Sequence, residues 1–229
     1  MSRRCVLLYW ECHDYSVAYS CNRSLLQHAS AGTVVLAHAE VTSEETGVEA
    51  AVRQALKGSK PPGAAGGKLE LLWGHTLYHM DDLPFESVAA MPDSFTPFKN
   101  KCEGRASVRA LLPSPKAGEL RLPAVGGAEL DFSVEPSLEA IGFEPPPEDA
   151  RSVLKFQGGE TAALARVAYY LWESDKVATY FDSRNGMLGG DYSTKFSPWL
   201  ALGCMSPRHV YHELQRYEGQ RTKNKVRTA

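Results

Sequence analysis

The sequence predicts an α/β first part built on a parallel sheet, joined through a proline-rich connection to an all-α second part. Three observations carry this. Between Thr33 and Trp73 the order is strand, helix, loop, strand; seven of the 14 prolines fall between Pro113 and Ala150; and from Glu160 onward the apolar residues recur at helical spacing. Alternating strand and helix marks a parallel sheet with crossover helices, and a purely helical stretch beyond a linker belongs to another layer.

Thr33 to Ala39 (TVVLAHA) is a short, continuous run rich in β-branched residues, which suits a strand buried on both faces. A helix follows. Ser43 stands as its N-cap, Glu44, Glu45 and Glu49 put negative charge near the positive end of its dipole, and Val48, Ala51, Val52, Ala55 and Leu56 share one face. Lys57 to Lys68 reads as a Gly/Ala/Pro loop, and Leu69 to Trp73 as the next strand. From Pro113 to Ala150 no period is sustained, so this stretch is an interdomain linker between residues 1–112 and 151–229. Leu164, Val167, Ala168, Leu171 and Trp172 predict one helix from about Glu160 to Phe181. Ser197-Pro198 and Ser206-Pro207 each place a capping hydroxyl before a proline, the signature of a helix start. Val210, Tyr211, Leu214 and Tyr217 give the last helix its apolar face.

At 229 residues the chain holds about one and a half domains of ordinary size. With 43% hydrophobic and 23% charged residues it falls in the globular range, which excludes disordered and fibrous classes. No apolar run reaches the roughly 20 residues of a membrane span, and Val6 to Trp10 is too short for the core of a signal peptide, so neither membrane association nor secretion is expected. The five cysteines, Cys5, Cys12, Cys21, Cys102 and Cys204, form no CxxC pair and fit neither a disulfide framework nor a zinc ribbon, which favours a reducing compartment.

Residues 1–150 carry 13 Lys and Arg against 20 Asp and Glu, a charge of −7, while residues 151–229 carry 12 against 7, or +5. A basic second part suits either an anionic ligand or a solvated basic face. Within it, Asp191 to Trp199 (DYSTKFSPW) sets three hydroxyls and one ammonium ahead of a helix start. That is a recipe for holding a phosphate or pyrophosphate, and equally for a polar loop that only caps the helix.

The same stretch carries a resemblance. Asn185 to Gly189 followed by DYSTKFSPWLALGCMSPR is similar to the flavin-binding segment of the photolyase and cryptochrome family, most closely its DASH branch. Leu72-Trp73-Gly74, Leu77-Tyr78-His79, Asp81 to Phe85, Phe95 to Lys99, Lys155-Phe156 and Gly158 to Glu160 resemble that branch in the same order, so the likeness covers roughly residues 33–221. It implies an N-terminal α/β domain, a long linker and a helical domain that binds FAD. Carried over position by position, Tyr180, Ser193, Thr194, Lys195, Phe196 and Ser197 match contacts to the FAD phosphates and ribityl chain. The implied reaction is light-driven splitting of cyclobutane pyrimidine dimers, preferring single-stranded DNA, where flipping the lesion is easiest. A non-catalytic blue-light photoreceptor is the alternative. The family also implies a folate antenna, methenyltetrahydrofolate, with Glu44 and Glu45 at acidic pterin-binding positions; an acidic first helical turn accounts for them equally. Arg184, Lys195 and Arg208 read either as DNA-phosphate contacts or as surface charge.

The chain departs from the family at both ends. Met1 to Ser30 shows Leu8 to Cys12 and nothing resembling the rest of the family's opening, and after Tyr217-Glu218 the family continues into the helices that hold the flavin ring, the lesion pocket and the electron-carrying tryptophans. The expectation is therefore a partial product with no catalytic residue of its own, compatible with an organelle, the nucleus or the cytoplasm. Trp172 and Trp199 match no electron carrier and are assigned to packing. His75, His79, Asp81 and Asp82 have metal-ligand types but lie ahead of Pro84 off any helix face, so no metal site is expected. The basic tail, Arg221 to Ala229, reads as a solvated chain end as readily as a nucleic-acid contact.

Overall fold

The computed structural model describes residues 5–7, 34–58, 67–116 and 151–221, with 118–119, 137, 139, 142–144 and 147 between them. Most of the predicted loop after Leu56, most of the linker and the basic tail beyond Arg221 lie outside the described residues. The chain packs as two compact units, Met1–Gly74 with Pro113–Pro147, and His75–Leu112 with Glu148–Ala229. The linker pattern suggested a division at 112. By compactness, the stretch from His75 to Leu112 groups with the helices.

In the first unit, β1 (Cys5–Leu7), β2 (Val34–His38) and β3 (Lys68–Leu72) form a three-stranded parallel sheet with β2 in the middle. Val35 pairs with Val6 on one side and Leu69 on the other. The amide of Ala39 donates to the Leu72 carbonyl at 2.9 Å, continuing the ladder past β2. Parallel neighbours need a crossover, which α1 (Ser43–Gly58) supplies. Its Leu56, 1% exposed, and Val35 are buried apolar anchors of this unit. The helix begins one residue earlier than the capping pattern implied. Ser43 lies inside it, and the Thr42 carbonyl accepts both the amide and the hydroxyl of Thr46, at 3.1 and 2.8 Å. Glu49 reaches back from α1 to accept the Glu40 amide at 2.9 Å, fixing the entry of the chain.

In the second unit, two single 3₁₀ turns (Met80–Asp82 and Val88–Ala90) lead into α2 (Phe95–Arg105), which buries Cys102 and stacks Phe98 on Phe85 at 5.5 Å. The core gathers Ala163, Val167, Tyr170, Leu171, Phe196, Trp199, Met205 and Tyr217, flanked by Leu154, Val177, Val210 and Leu214. It is assembled from α3 (Glu160–Ala168), a π-helical turn (Tyr169–Glu173), a 3₁₀ turn (Lys176–Thr179), α4 (Tyr180–Ser183), α5 (Ser197–Ala201) and α6 (Pro207–Arg221).

Two predictions change here. The single helix expected to Phe181 breaks at Asp175, which takes a left-handed φ of 54°. Its apolar face also rotates. Leu164 is exposed, while Arg166 turns inward beside Ala163, Val167 and Tyr170 at 8% exposure. Trp199 and Trp172 do pack as assigned: the indole N–H of Trp199 donates to the Gln157 carbonyl at 2.8 Å, and that of Trp172 to Glu213 at 3.1 Å. Ser206 caps α6 as read, its hydroxyl accepting the Arg208 amide at 3.3 Å. Ser197, by contrast, is the first residue of α5, and Phe196 holds the capping position without a side-chain bond.

Candidate functional site

The stretch between α4 and α5 is shaped by glycines and held by its neighbours. Gly186 donates to the Ser183 carbonyl at 2.7 Å, and a Cβ there would lie 2.9 Å from that same oxygen, so only glycine fits this turn. Gly189 then takes a φ of +80°.

Several acceptors of the following loop are taken. Arg166 donates to the Gly190 carbonyl at 3.0 Å, the Thr194 carbonyl at 3.1 Å and the Asp191 carboxylate at 2.9 Å. Tyr169 donates to the other Asp191 oxygen at 2.9 Å, and Ser183 to the Tyr192 carbonyl at 3.1 Å. Burial works against the charged form of Asp191, yet the hydrogen bonds from Tyr169 and Arg166 and the charges of Arg166 and Lys176 outweigh it and lower its pKa. Donating to that carboxylate raises the pKa of Tyr169.

The donors are not taken. Among the described residues, no hydrogen bond uses the backbone N–H of Ser193, Thr194, Lys195, Phe196 or Ser197, or the hydroxyl of Ser193, Thr194 or Ser197. Lys195 has a φ of +59° and Phe196 returns to the right-handed region. Such a reversal turns successive N–H groups toward one side, which makes a concavity suited to an anion. The Lys195 ammonium lies over the Tyr192 ring at 3.6 Å. The helix behind this loop has only five residues, so the anion-receiving character comes from the loop's own N–H and hydroxyl groups, with little from a helix dipole. Phe196 is buried edge-on to Tyr170 at 6.1 Å and anchors the loop to the core.

Tyr180 opens α4, half-buried against the same core, and its helix is tied to the loop through Ser183 and Tyr192. The other candidates lie apart. Glu44 is exposed on α1; Glu45, one residue on, is half-buried, and its Oε2 is buried without a hydrogen-bond partner among the described residues. Arg184 is exposed over the Phe181 ring at 5.1 Å, whereas Arg208 is half-buried and donates through Nε to the Leu77 carbonyl at 3.3 Å. His79 caps the first 3₁₀ turn by accepting the Asp81 amide, and Asp82 takes a paired bond from Arg109 at 2.6 and 2.9 Å. Among the described residues no cluster of three or more His, Cys, Asp or Glu could hold a metal ion, and no helix is long and apolar enough to cross a membrane.

Sequence reasoning missed Arg166 and Tyr169. A lone arginine inside an otherwise apolar helix face, Ala162 to Leu171, was the available signal.

A family model described as DNA photolyase matches residues 20–117. The chloroplastic/mitochondrial cryptochrome DASH of Ostreococcus tauri is 51% identical over 213 residues, covering 87% of this chain and 39% of that protein. Cryptochrome DASH of Danio rerio is 40% identical over 87% of this chain and 36% of its own. The chain belongs to the DNA photolyase and cryptochrome family. Its likeness within that family runs to proteins named cryptochrome DASH, and a solved cryptochrome from Synechocystis sp. matches at a TM-score of 0.67 and 41% identity, covering 87% of this chain and 39% of the other. The α/β part followed by a helical part is thus the fold of a cryptochrome, and the chain spans about two fifths of the length of these relatives.

Proposed function

We propose that the chain is the FAD-phosphate-binding part of a blue-light flavoprotein of the DASH-type cryptochrome branch. The observation that carries this is the loop 193–197, whose N–H and hydroxyl donors are unspent among the described residues, while the carbonyls of Gly190, Tyr192 and Thr194 and the Asp191 carboxylate are occupied. A pyrophosphate offers only acceptors, so this donor-rich surface is its complement. Ser193, Thr194 and Ser197 supply hydroxyls, Lys195 a cation, Phe196 the anchor and Tyr180 the neighbouring wall. FAD, when bound, supplies the light absorption and the electron chemistry. The parent activity in this reading is light-driven repair of pyrimidine dimers in single-stranded DNA, with residues 1–112 as its α/β domain, 113–150 as linker and 151–229 as the beginning of the FAD domain.

The test is equilibrium titration of the chain with FAD, followed by flavin fluorescence. Saturable binding that is weakened by Ser193→Ala with Thr194→Ala supports the reading, and no binding at excess FAD removes it. A photoreceptor without catalysis is distinguished by dimer-containing single-stranded DNA under blue light, which it leaves unrepaired.

The orphaned Glu45 Oε2 favours one addition, an antenna site on α1. A carboxylate with a desolvated, unpartnered oxygen is suited to the paired N–H groups of a pterin such as methenyltetrahydrofolate.

A further inference from the structure

We infer that Arg166 is the positioning residue of the phosphate-receiving loop; the inference rests on the flavin reading above. Arg166 is 8% exposed, and each of its three hydrogen bonds goes to a different residue of the loop, 24 to 28 positions away in sequence. Tyr169 and Tyr170 hold the guanidinium carbon at 5.2 and 5.4 Å from their ring centres, which fixes the plane of the fork. The fork does two things. By taking the Gly190 and Thr194 carbonyls it fixes the path of the backbone between them, and so the direction of the N–H groups that follow. By pairing with Asp191 it cancels the carboxylate that would otherwise repel a phosphate beside the loop.

Lysine cannot replace this arrangement. An ammonium is a compact point charge without the planar fork, so it cannot serve three acceptors spread over residues 190–194. Arg166 touches no ligand in this account; it acts through the loop.

The test compares the unaltered chain with Arg166→Lys and Arg166→Ala. Three quantities are read: FAD affinity by fluorescence titration, the rate of tryptic cleavage after Lys195, and the thermal unfolding midpoint. The expected result for Arg166→Lys is an FAD affinity at least tenfold weaker, with several-fold faster cleavage after Lys195 and a cooperative unfolding transition. For Arg166→Ala, millimolar methylguanidinium restores FAD affinity in a dose-dependent way, which a general loss of structure would not allow. If Arg166→Ala does not fold, the lysine variant carries the test alone. FAD affinity within twofold of the unaltered chain in Arg166→Lys, or a folded Arg166→Ala that methylguanidinium does not rescue, overturns the proposal. If the unaltered chain binds no FAD, the flavin reading is what fails. Faster cleavage in Arg166→Lys then still supports loop anchoring, and unchanged cleavage overturns that as well.

Discussion

The phenol of Tyr217 donates a 2.5 Å hydrogen bond to the carboxylate of Asp175, 42 residues earlier in the chain. Tyr217 is 0% exposed, with Trp172 edge-on to its ring at 5.4 Å. Asp175 is the residue at which the predicted long helix breaks, so α6 holds that break in place from a distance. The bond joins a buried donor to a charged acceptor, which is the stronger class of hydrogen bond.

Tyr217→Phe removes the bond and keeps the ring. It should lower stability by about 2 kcal/mol, typical of a hydrogen bond to a charged group. Each kcal/mol moves the thermal midpoint of a chain this long by about 2–4 °C. There is also a pH signature. Burial first, then the bond to Asp175 and its charge, push the Tyr217 pKa up to about 12. The folded state therefore favours the protonated phenol, and the associated stability is complete below about pH 10, the ordinary tyrosine value. It is lost as pH rises through about 12. Unfolding followed from pH 8 to 12 should show this decline in the unaltered chain and a smaller one in Tyr217→Phe. Equal declines would count against the bond.

The left-handed φ of 54° at Asp175 can be separated from its hydrogen bond. Asp175→Gly and Asp175→Ala both lose the bond to Tyr217, but only alanine keeps a Cβ that opposes this conformation. Alanine should therefore be the less stable by about 1 kcal/mol, read by urea unfolding. Alanine as stable as glycine would mean that the turn has moved in both.

These long-range ties separate what was legible in the sequence from what was not. The strands β2 and β3, the crossover helix and the Ser206 cap were legible because each is decided by neighbouring residues. The break at Asp175 was not, because apolar spacing continues across it and the bond that holds it comes from Tyr217. Likewise, the phosphate-type loop was visible as a run of hydroxyls, but which of its groups stay free depends on Arg166, Tyr169 and Ser183. An inward arginine also explains the rotated helix face: Arg166 needs the Asp191 carboxylate, so Leu164 is left outward. Ser197 misled because Ser-Pro is a capping signature, yet here the chain turns at Lys195, two residues earlier.

Asp191 gives the loop an acid sensitivity. Its pKa is held below the ordinary value of about 3.9, so its stabilising contribution is complete above that value. It is lost as pH falls through the lower, folded-state value. The thermal midpoint should therefore fall on acidification below about pH 4, and Asp191→Asn should flatten that part of the profile. FAD affinity should fall over the same range, because a protonated Asp191 no longer holds Arg166 or accepts from Tyr169 in the same way. A variant profile that still follows the unaltered one would place the acid sensitivity elsewhere.

Glu45 supplies a test on the other unit that is independent of the flavin loop. Leaving a buried carboxylate oxygen without a donor costs about 1–3 kcal/mol, more than the roughly 0.3–1 kcal/mol that a first-turn charge gains from the helix dipole. Without ligand, Glu45→Gln should therefore leave the chain as stable or more stable, since it removes the charge and keeps the shape. With methenyltetrahydrofolate the sign reverses. A carboxylate presents two acceptors to paired N–H groups, whereas the amide presents one acceptor and one donor, so affinity should fall about tenfold in a fluorescence titration. Glu44→Gln is the internal comparison, because that side chain is exposed on the same helical turn. Equal loss in both variants would point to general acidity of the turn, and no loss in either would leave Glu44 and Glu45 as helix-dipole partners alone.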